Sequence, residues 1–387
     1  MHIMFITGEY PPMPGGVGAY TQELAKALIA SNLQVSVLTS ERAASQGAAA
    51  TLSQIRVMPS IRRWDWSAWG VIANLARTLD VDWLHVQYQT AAYAMHPAIN
   101  FAPWWWRRQG LQVAWTYHDL RVPYLFPKAG HAARTWVTTR AAHDANLVIV
   151  TNEADRRALA GQEEYAVRIP IGSNIQGVTL STAERLARRR LRGYSESELV
   201  VAYFGFLNRS KGGLMLIRTL QRLAQARPNV HLLMIGEQVG ASDATNYAYL
   251  QEVKQLIHTC HLDQRVQWTG HQEDAEVAAD LNACDVLLMP YTDGASLRRG
   301  TLMAGLANGC AIVTTTPEEP LPELVDARDL LYITPEDDAA AAGAVLRIAQ
   351  DPQLAEQLRS NARTKSLEFS WQSIATQHVA EYTAATW

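Results

Sequence analysis

The sequence predicts an α/β protein of two domains, each a doubly wound parallel sheet with helices on both faces. Short β-rich runs alternate with longer segments of helical periodicity along all 387 residues, and this alternation is typical of parallel sheets covered by helices. That length corresponds to two or three domains. A composition of 48% hydrophobic and 18% charged residues is typical of a folded chain with a large core.

A first set of strands is predicted in the N-terminal half. Each is a run of mostly apolar or β-branched residues, and the segments between the runs have helical spacing. In the segment 18–31, for example, Tyr20, Leu24 and Leu28 share one helical face. The predicted strands cover residues 3–7, 34–39, 55–58, 83–87, 112–117, 147–151 and 166–169.

The pattern changes at residues 169–174, where a domain boundary is expected near residue 175. A basic helix at 183–192 then leads into a second set of strands. These strands cover residues 200–205, 231–235, 266–268, 286–289, 311–314 and 330–333. We therefore predict domains at 1–175 and 176–370.

Charge, cysteine content and hydropathy exclude several classes of protein. A formal net charge of −3 leaves no basic excess for a general nucleic-acid binder, so no nucleic-acid partner is expected. Cys260, Cys284 and Cys310 have neither a disulfide nor a metal-ligand pattern, which favours a reducing compartment. No apolar run approaches the roughly 20 residues of a spanning helix, and none at the N-terminus suits a signal peptide. The expected location is cytoplasmic.

Each half begins with a strand, a glycine-bearing loop and a helix, the loops covering residues 8–18 and 205–213. Ligands of open α/β sheets bind beyond the carboxyl ends of the strands, so two such domains facing each other would hold a substrate in a central cleft. In the first loop, amides at a helix start suit an anion or a sugar, and Gly15 and Gly16 would allow its approach. The alternative is a turn whose glycines serve only the backbone.

Cofactor and metal patterns are not matched. Thr21 stands where a dinucleotide fingerprint has its third glycine, so a nicotinamide cofactor is not expected. Asp80 and Asp82 have the spacing of a metal-binding carboxylate pair, but they precede a predicted strand and so lie at the wrong end of the sheet. We interpret them as solvated loop charges and expect no metal site.

Three basic residues and their loops are candidates for chemistry. His118 follows a predicted strand beside Asp119, where an imidazole can hydrogen-bond a substrate hydroxyl, although a lone histidine is also often structural. Arg209 and Lys211 lie in the second glycine loop and open a helix, a combination that suits a diphosphate. The alternative for both is a solvated surface charge. Residues 291–301 form a third such loop, between a strand and a helix.

Two further segments, 64–69 and 101–108, are rich in tryptophan. Tryptophan beside arginine suits a lipid headgroup boundary, so a peripheral contact with the inner face of a membrane is one interpretation. Packing within a helix layer or against the other domain is the alternative. The sequence does not separate the two.

Four motifs in order resemble the retaining glycosyltransferase family 4, of the GT-B fold. They are Gly8-Glu9-Tyr10-Pro11-Pro12 with Gly15-Gly16-Val17-Gly18-Ala19-Tyr20, then Tyr117-His118-Asp119, Ser210-Lys211-Gly212, and Phe369-Ser370-Trp371-Gln372-Ser373-Ile374-Ala375. The resemblance covers nearly the whole chain. It implies that a C-terminal helix, 371–387, returns to the first domain and that the second domain binds the donor.

The resemblance implies sugar transfer from a UDP- or GDP-sugar to a glycan or lipid-linked acceptor, with retention of anomeric configuration and without a metal or cofactor. His118, Arg209 and Lys211 would be the catalytic residues. Donor contacts would come from the three loops and acceptor contacts from the first domain. The donor candidates are Gly15, Gly16, Gly205, Ser296, Leu297, Arg298, Arg299, Gly300 and Thr301, and the acceptor candidates are Glu9, Tyr10, Gln87, Tyr88 and Asp119.

The chain departs from the family pattern at two places. Phe206 stands where the family usually has an arginine after Gly205. The family's Glu-x7-Glu pair aligns with Ser296 and Ala304, so both carboxylates are missing, including the one that usually binds the ribose. If the pocket keeps the family's shape, Ala304→Glu is expected to tighten nucleotide binding by roughly 1.5–3 kcal/mol.

Two alternatives in other functional classes stay open at this point. One is a nucleotide-sugar epimerase on the same architecture. The other is a non-catalytic GT-B protein that binds a nucleotide or sugar, an alternative that the missing glutamates favour.

Overall fold

The computed structural model describes residues 1–13, 15–45, 55–120, 122, 128, 130–159, 161, 162, 164–238 and 244–385. The chain divides into two compact units. The first contains Met1–Asn174 together with Ser370–Trp387, and the second contains Ile175–Phe369. The last two residues of the predicted helix 371–387 lie outside the described residues.

A parallel sheet forms the centre of the first unit. Its described strands are β1 (His2–Thr7), β2 (Gln34–Ser40), β3 (Arg56–Ile61), β4 (Trp83–Tyr88), β5 (Gln112–Tyr117), β6 (Leu147–Val150) and β7 (Ala166–Arg168). They lie side by side in the order β3-β2-β1-β4-β5-β6-β7. The order reverses between β1 and β4, and in open α/β sheets such a switch point marks the ligand crevice.

Helices cover both faces of this sheet. The described ones are α1 (Gly16–Ala30), α2 (Arg42–Ser45), α3 (Ala68–Thr78), α4 (Ala98–Arg108), α5 (His131–Asp144), α6 (Glu153–Ala158) and, from the C-terminus, α14 (Trp371–Ala385). Leu24 and Leu28 of α1 are buried with Ile374 and Tyr382 of α14 in one hydrophobic cluster. Burial of this shared apolar face attaches the C-terminal helix to the first sheet.

The second unit repeats this architecture. Its described strands are β8 (Leu199–Phe204), β9 (Val230–Ile235), β10 (Val266–Trp268), β11 (Val286–Met289), β12 (Ile312–Thr315) and β13 (Leu331–Ile333), in the sheet order β10-β9-β8-β11-β12-β13. The order reverses between β8 and β11. The loops after these two strands therefore flank the crevice of the second unit.

The described helices of the second unit are α7 (Thr182–Leu191), α8 (Gly213–Ala226), α9 (Ala244–Thr259), α10 (Asp274–Ala283), α11 (Gly300–Ala307), α12 (Asp338–Gln350) and α13 (Pro352–Ser366). In α8, residues Met215, Leu216, Leu220 and Leu223 are buried at helical spacing. They pack on the same core as strands β8 and β9.

The predicted fold class is confirmed, and each predicted strand overlaps an observed one. The differences lie at strand ends. Gly205, predicted as the last residue of a strand, lies beyond β8 because its φ of +106° is outside the β region. The short helix α2 was not predicted, since four residues carry no helical period.

Candidate functional site

In the second unit, the loops after β8 and β11 bring Lys211 and Thr301 to the end of β8. A Cβ placed on Gly205 would lie 2.8 Å from Thr301 Cγ2 and 2.9 Å from Lys211 Nζ. Its positive φ and this close approach both require glycine. Gly205 therefore admits the lysine side chain to the switch point of the sheet.

Lys211 and Arg299 place two cations close together in this crevice. Burial lowers the pKa of Lys211 to about 8, with a smaller contribution from the Arg299 guanidinium. Arg299 lies 4.6 Å from the Tyr291 ring centroid, pairs with Asp293, and donates from Nη1 to Ser210 Oγ at 3.4 Å. Among the residues that the structure describes, no carboxylate forms an ion pair with Lys211 Nζ. This cationic crevice suits an anion.

One helix N-terminus adds to the positive charge of this crevice. α11 begins at Gly300, directly after Arg299, and in the described structure no side chain caps it. Its partial positive charge adds to that of Lys211 and Arg299. The N-terminus of α8 is different, because the amide of Leu214 in its first turn donates to the Tyr249 hydroxyl at 3.1 Å.

Arg209 is not part of this crevice, which corrects the sequence-based role in diphosphate binding. Its side chain is 72% exposed, pairs with Glu252 at 2.6 Å and lies 5.2 Å from the Tyr249 ring centroid. Arg209 therefore lies at the surface as a solvated charge, which was the alternative interpretation of this residue. Arg299, predicted only as a donor contact, takes its place beside Lys211.

The other predicted residues of the 291–301 loop differ in their availability. Leu297 is buried, and Thr301 Oγ1 lies 2.7 Å from the Tyr291 hydroxyl, so both support the loop. Ser296 Oγ accepts from the Arg298 amide at 3.3 Å. Arg298 is exposed, and Gly300 is exposed at the start of α11. Ser296 and Gly300 remain the candidates for donor contact.

Ala304 does not border this crevice as the family pattern implied. Its side chain is 0% exposed, and its carbonyl accepts from both the amide and Nδ2 of Asn308 at 3.0 Å. A glutamate here would enter the packed core. The expectation that Ala304→Glu tightens nucleotide binding is therefore replaced by the opposite one.

We expect Ala304→Glu to lower the free energy of unfolding by at least about 2 kcal/mol, because it overpacks the core and buries a carboxylate. Chemical denaturation of the variant and of wild type measures the difference. Ala307→Glu, at a half-buried position of the same helix, is the control and should lose less stability. A stable Ala304→Glu variant with tighter nucleotide binding would restore the sequence-based interpretation.

In the first unit, His118 lies at the carboxyl end of β5, as predicted. Its amide donates to the Tyr88 carbonyl at 2.9 Å, and its ring contacts Tyr20 edge-on at a centroid distance of 4.6 Å. Burial of the ring, with a smaller contribution from His378, lowers the pKa of His118 to about 3. The imidazole is therefore neutral at physiological pH.

The side chain of Gln87 is the hydrogen-bond partner of the His118 ring. His118 Nε2 lies 2.8 Å from Gln87 Oε1. With the amide in this orientation its oxygen accepts, and we infer that Nε2–H donates and that Nδ1 is left as an acceptor. Gln87 is 0% exposed. The prediction that Gln87 contacts the acceptor is therefore corrected, and we propose that it positions His118.

Removal of the Gln87 oxygen is expected to change the tautomer of His118. In Gln87→Leu, we expect the proton to be shared between Nδ1 and Nε2, because the acceptor that holds it on Nε2 is gone. Nitrogen-15 NMR of the histidine rings distinguishes the two tautomers. Gln89→Leu is the matched control, since Gln89 binds Asp119 Oδ2 at 3.4 Å instead. An unchanged His118 spectrum in Gln87→Leu would contradict the assignment.

The remaining residues predicted to contact the acceptor differ in how deeply they are buried. Tyr88 and Tyr10 are 1% and 2% exposed, so both belong to the core rather than to an open site. This corrects their predicted role. Asp119 is half-buried and lies beside His118 in sequence, and Glu9 lines an open pocket. Glu9 and Asp119 keep the predicted role as a proposal.

Glu9 occupies the N-terminus of α1, where an external anion was predicted. Its Oε1 accepts from the amides of Val17 at 3.1 Å and Gly18 at 3.3 Å. A Cβ on Gly15 would lie 2.1 Å from that oxygen, so Gly15 is required by Glu9 rather than by a donor. A Cβ on Gly16 would meet nothing within 4 Å, so Gly16 borders open space and Gly15 does not.

Burial raises the pKa of Glu9, and the hydrogen bonds from the amides of Val17 and Gly18 partly oppose this increase.

Two family models match nearly the whole chain. Residues 14–174 match a model described as Glycosyltransferase Family 4, and residues 187–365 match a model described as Glycosyl transferases group 1. The chain belongs to glycosyltransferase family 4. The resemblance seen in the motifs is thereby confirmed, and the chain is a glycosyltransferase enzyme. The two alternatives, a nucleotide-sugar epimerase and a non-catalytic binding protein, are not favoured.

Curated relatives match this glycosyltransferase over most of its sequence and most of their own. A D-inositol 3-phosphate glycosyltransferase of Corynebacterium efficiens is 24% identical over 96% of this chain and 91% of its own length. A phosphatidyl-myo-inositol mannosyltransferase of Mycobacterium leprae is 24% identical over 97% of this chain and 94% of its own.

Solved structures show the same fold. The glycosyltransferase matches the crystal structure of Anabaena HepE with UDP-glucose at a TM-score of 0.76 and 19% identity, over 99% of this chain and 100% of that one. It matches sucrose-phosphate synthase of Thermosynechococcus elongatus at a TM-score of 0.73 and 21% identity, over 99% and 98% of the two chains. The predicted assignment to the GT-B fold is confirmed.

Proposed function

We propose that this glycosyltransferase moves a sugar from a UDP- or GDP-sugar to a glycan or lipid-linked acceptor, with retention of anomeric configuration and without a metal. The second unit binds the donor and the first unit binds the acceptor. The observation that carries the proposal is the proximity of Lys211 and Arg299 at the switch point of the second sheet, beside the uncapped N-terminus of α11. The complex of HepE with UDP-glucose supports a nucleotide-sugar donor.

The proposed reaction develops negative charge on the leaving diphosphate. The bond between the anomeric carbon and the diphosphate oxygen breaks with its electron pair leaving on that oxygen, while the acceptor oxygen gives its proton to the departing diphosphate and forms the glycosidic bond. Lys211, Arg299 and the first-turn amides of α11 are fixed donors that stabilise this charge. They supply electrostatic stabilisation that a metal ion supplies in other enzymes.

His118 has a separate role in the proposal. Because Gln87 holds the proton on Nε2, the neutral ring offers Nδ1 as a hydrogen-bond acceptor. We propose that Nδ1 accepts from a hydroxyl of the transferred sugar. A pKa of about 3 keeps this acceptor available throughout the neutral range.

A donor screen followed by product analysis tests the proposed function. Thermal unfolding with UDP-glucose, UDP-galactose, UDP-N-acetylglucosamine, GDP-mannose and the free nucleotides should identify a stabilising nucleotide, since a ligand that binds only the folded state raises the melting temperature. Mass spectrometry should then show the sugar joined to an added acceptor, and proton NMR should show an unchanged anomeric configuration. Stabilisation by no nucleotide, or release of an epimerised donor without transfer, would overturn the proposal.

The proposed transfer is expected to survive removal of divalent metal. Lys211 and Arg299 provide the positive charge for the diphosphate, so initial rates with and without EDTA should agree within error. Addition of Mg²⁺ or Mn²⁺ after EDTA is the control. A loss of activity that either ion restores would show that a metal shares the charge stabilisation.

A peripheral membrane contact is part of the proposal and rests on an aromatic surface of the first unit. Trp66, Trp104 and Trp136 are 52%, 40% and 53% exposed. The ring centroid of Phe101 lies 6.0 Å from that of Trp66 and 5.8 Å from that of Trp136. Arg108 lies 4.2 Å from the Trp104 ring centroid. Exposed tryptophan with arginine suits an anionic bilayer surface.

None of the described helices has the length and apolar character to cross a bilayer. Cosedimentation with vesicles tests the surface contact. Vesicles that contain phosphatidylglycerol should retain the protein, and a Trp66→Ala/Trp136→Ala variant should bind them less. Equal binding of the variant and wild type would remove the aromatic surface from the proposal.

A further inference from the structure

An open pocket of about 410 Å³ lies in the first unit, a volume within the range of small-molecule sites. Gly8 and Glu9 line it from the end of β1, Ser40 from the end of β2, and Arg62 from the end of β3. It therefore borders the carboxyl edge of the sheet beside the switch point between β1 and β4, the position where open α/β sheets bind ligands.

Three arginines give this pocket its chemical character. Arg42 opens α2, and Arg62 and Arg63 follow β3 directly. All three side chains are exposed. Among the described residues, no carboxylate forms an ion pair with Arg62 or Arg63. Arginine at this density suits the planar oxygens of a phosphate or carboxylate, to which a guanidinium binds through two hydrogen bonds.

The two acids that line the pocket are already engaged. Glu9 Oε1 accepts from the first-turn amides of α1, as described above. Asp65 Oδ1 accepts from the Ser67 amide at 2.9 Å and from the Ser67 hydroxyl at 2.5 Å. These local hydrogen bonds hold the carboxylates within their own loops but do not neutralise them, and Asp65 also feels the charge of Arg63. The three guanidinium groups outnumber the two carboxylates, so the pocket keeps a cationic wall.

We infer that this pocket binds an anionic group of the acceptor, a phosphate or a carboxylate. The inference rests on the proposed function, because it takes the first unit as the acceptor-binding unit. Arg62 and Arg63 bind the anionic oxygens. Ser40 and His96 offer hydrogen bonds to neighbouring hydroxyls, and the buried ring of Trp64 forms an apolar wall. A neutral sugar lacks the group that the arginines recognise.

Calorimetry with three small probes tests this inference. Glucose 6-phosphate, glucuronate and glucose share a sugar ring and differ in charge. We expect glucose 6-phosphate, glucuronate or both to bind at least tenfold more tightly than glucose, and the tighter of the two charged probes identifies the anionic group. Glucose that binds as tightly as both charged probes would overturn the inference.

Two double variants test whether Arg62 and Arg63 bind the charged probe. Arg62→Gln/Arg63→Gln should weaken binding of the preferred charged probe at least tenfold. Arg156→Gln/Arg157→Gln is the matched control, an adjacent arginine pair of the same unit that interacts with Glu153 outside the pocket. Unchanged binding in the Arg62/Arg63 variant would overturn the inference.

The same samples separate this inference from the proposed function. Binding of the nucleotide diphosphate identified by the donor screen should be equal in wild type and in both double variants, because the second unit holds it. If nucleotide binding is intact and the charged probes fail, the anionic-acceptor inference is wrong and the proposed function stands. If wild type binds no nucleotide, the proposed function itself is wrong.

Discussion

Lys211→Ala is expected to lower kcat by a factor of about 10² to 10³, corresponding to roughly 3 kcal/mol of lost transition-state stabilisation. In the proposed reaction the ammonium stabilises the charge that develops on the leaving diphosphate, and no described carboxylate forms an ion pair with it. The loss should appear in kcat and not as a loss of folding free energy, because burial lowers the pKa of Lys211 and its charge therefore opposes folding. Steady-state kinetics and chemical denaturation of one preparation measure both quantities.

Arg209→Ala is the matched control for Lys211. Arg209 lies two residues away, is exposed and pairs with Glu252, so its removal should change kcat less than threefold. A loss as large as that of Lys211→Ala would return Arg209 to the diphosphate site. If both variants keep full turnover, Lys211 is a structural lysine.

The pKa of Lys211 also predicts how kcat/KM changes at alkaline pH. Its pKa of about 8 in the unliganded enzyme means that raising the pH through this value removes the charge that binds the diphosphate. The ratio kcat/KM, which reports ionisations of the free enzyme, should therefore fall above about pH 8. In Lys211→Arg, which keeps its charge, any remaining activity should fall only at higher pH.

His118→Ala is expected to lower the rate of transfer tenfold to about a hundredfold, since it leaves a sugar hydroxyl without its acceptor at a cost of about 1–3 kcal/mol. Affinity for the free nucleoside diphosphate should stay nearly unchanged, because that ligand lacks the sugar. Kinetics with the full donor and calorimetry with the nucleoside diphosphate separate the two effects.

A His118→Gln variant retains a side-chain acceptor and should recover part of the lost rate. The activity of wild type should show no inflection between pH 5 and 7, because the imidazole stays neutral there. An equal loss of sugar transfer and nucleotide binding in His118→Ala would mean that the histidine supports the fold instead.

The strands could be predicted because their burial is encoded locally. The runs at β4, β5 and β8 are six residues long, mostly apolar or aromatic, and buried on both faces, so a run of strand length is visible in the sequence. Only the resemblance predicts that helix α14 packs on the first domain, because the sequence of residues 371–385 does not indicate which sheet the helix covers. Its buried contacts with α1 are long-range.

The site was only partly predictable, because proximity in sequence was a poor measure of proximity in space. Lys211 was identified from its loop, but Arg209, two residues away, turns to Glu252, whereas Arg299, 88 positions along the chain, lies beside Lys211. Glu9 was predicted to contact an acceptor, and its capping of α1 depends on a loop geometry that no motif describes. Arg62 and Arg63 do not directly follow the predicted strand 55–58, and only the observed end of β3 at Ile61 places them at the edge of the sheet.

Binding of a nucleoside diphosphate and of its parent nucleoside, measured by calorimetry on wild type and on Lys211→Ala/Arg299→Gln, tests directly whether Lys211 and Arg299 hold the diphosphate. We expect wild type to bind the diphosphate at least a hundredfold more tightly than the nucleoside, because the two cations and the N-terminus of α11 contact only the phosphates. In the double variant this preference should fall at least tenfold while nucleoside affinity stays the same. An equal preference in both proteins would show that the diphosphate lies elsewhere than at Lys211 and Arg299.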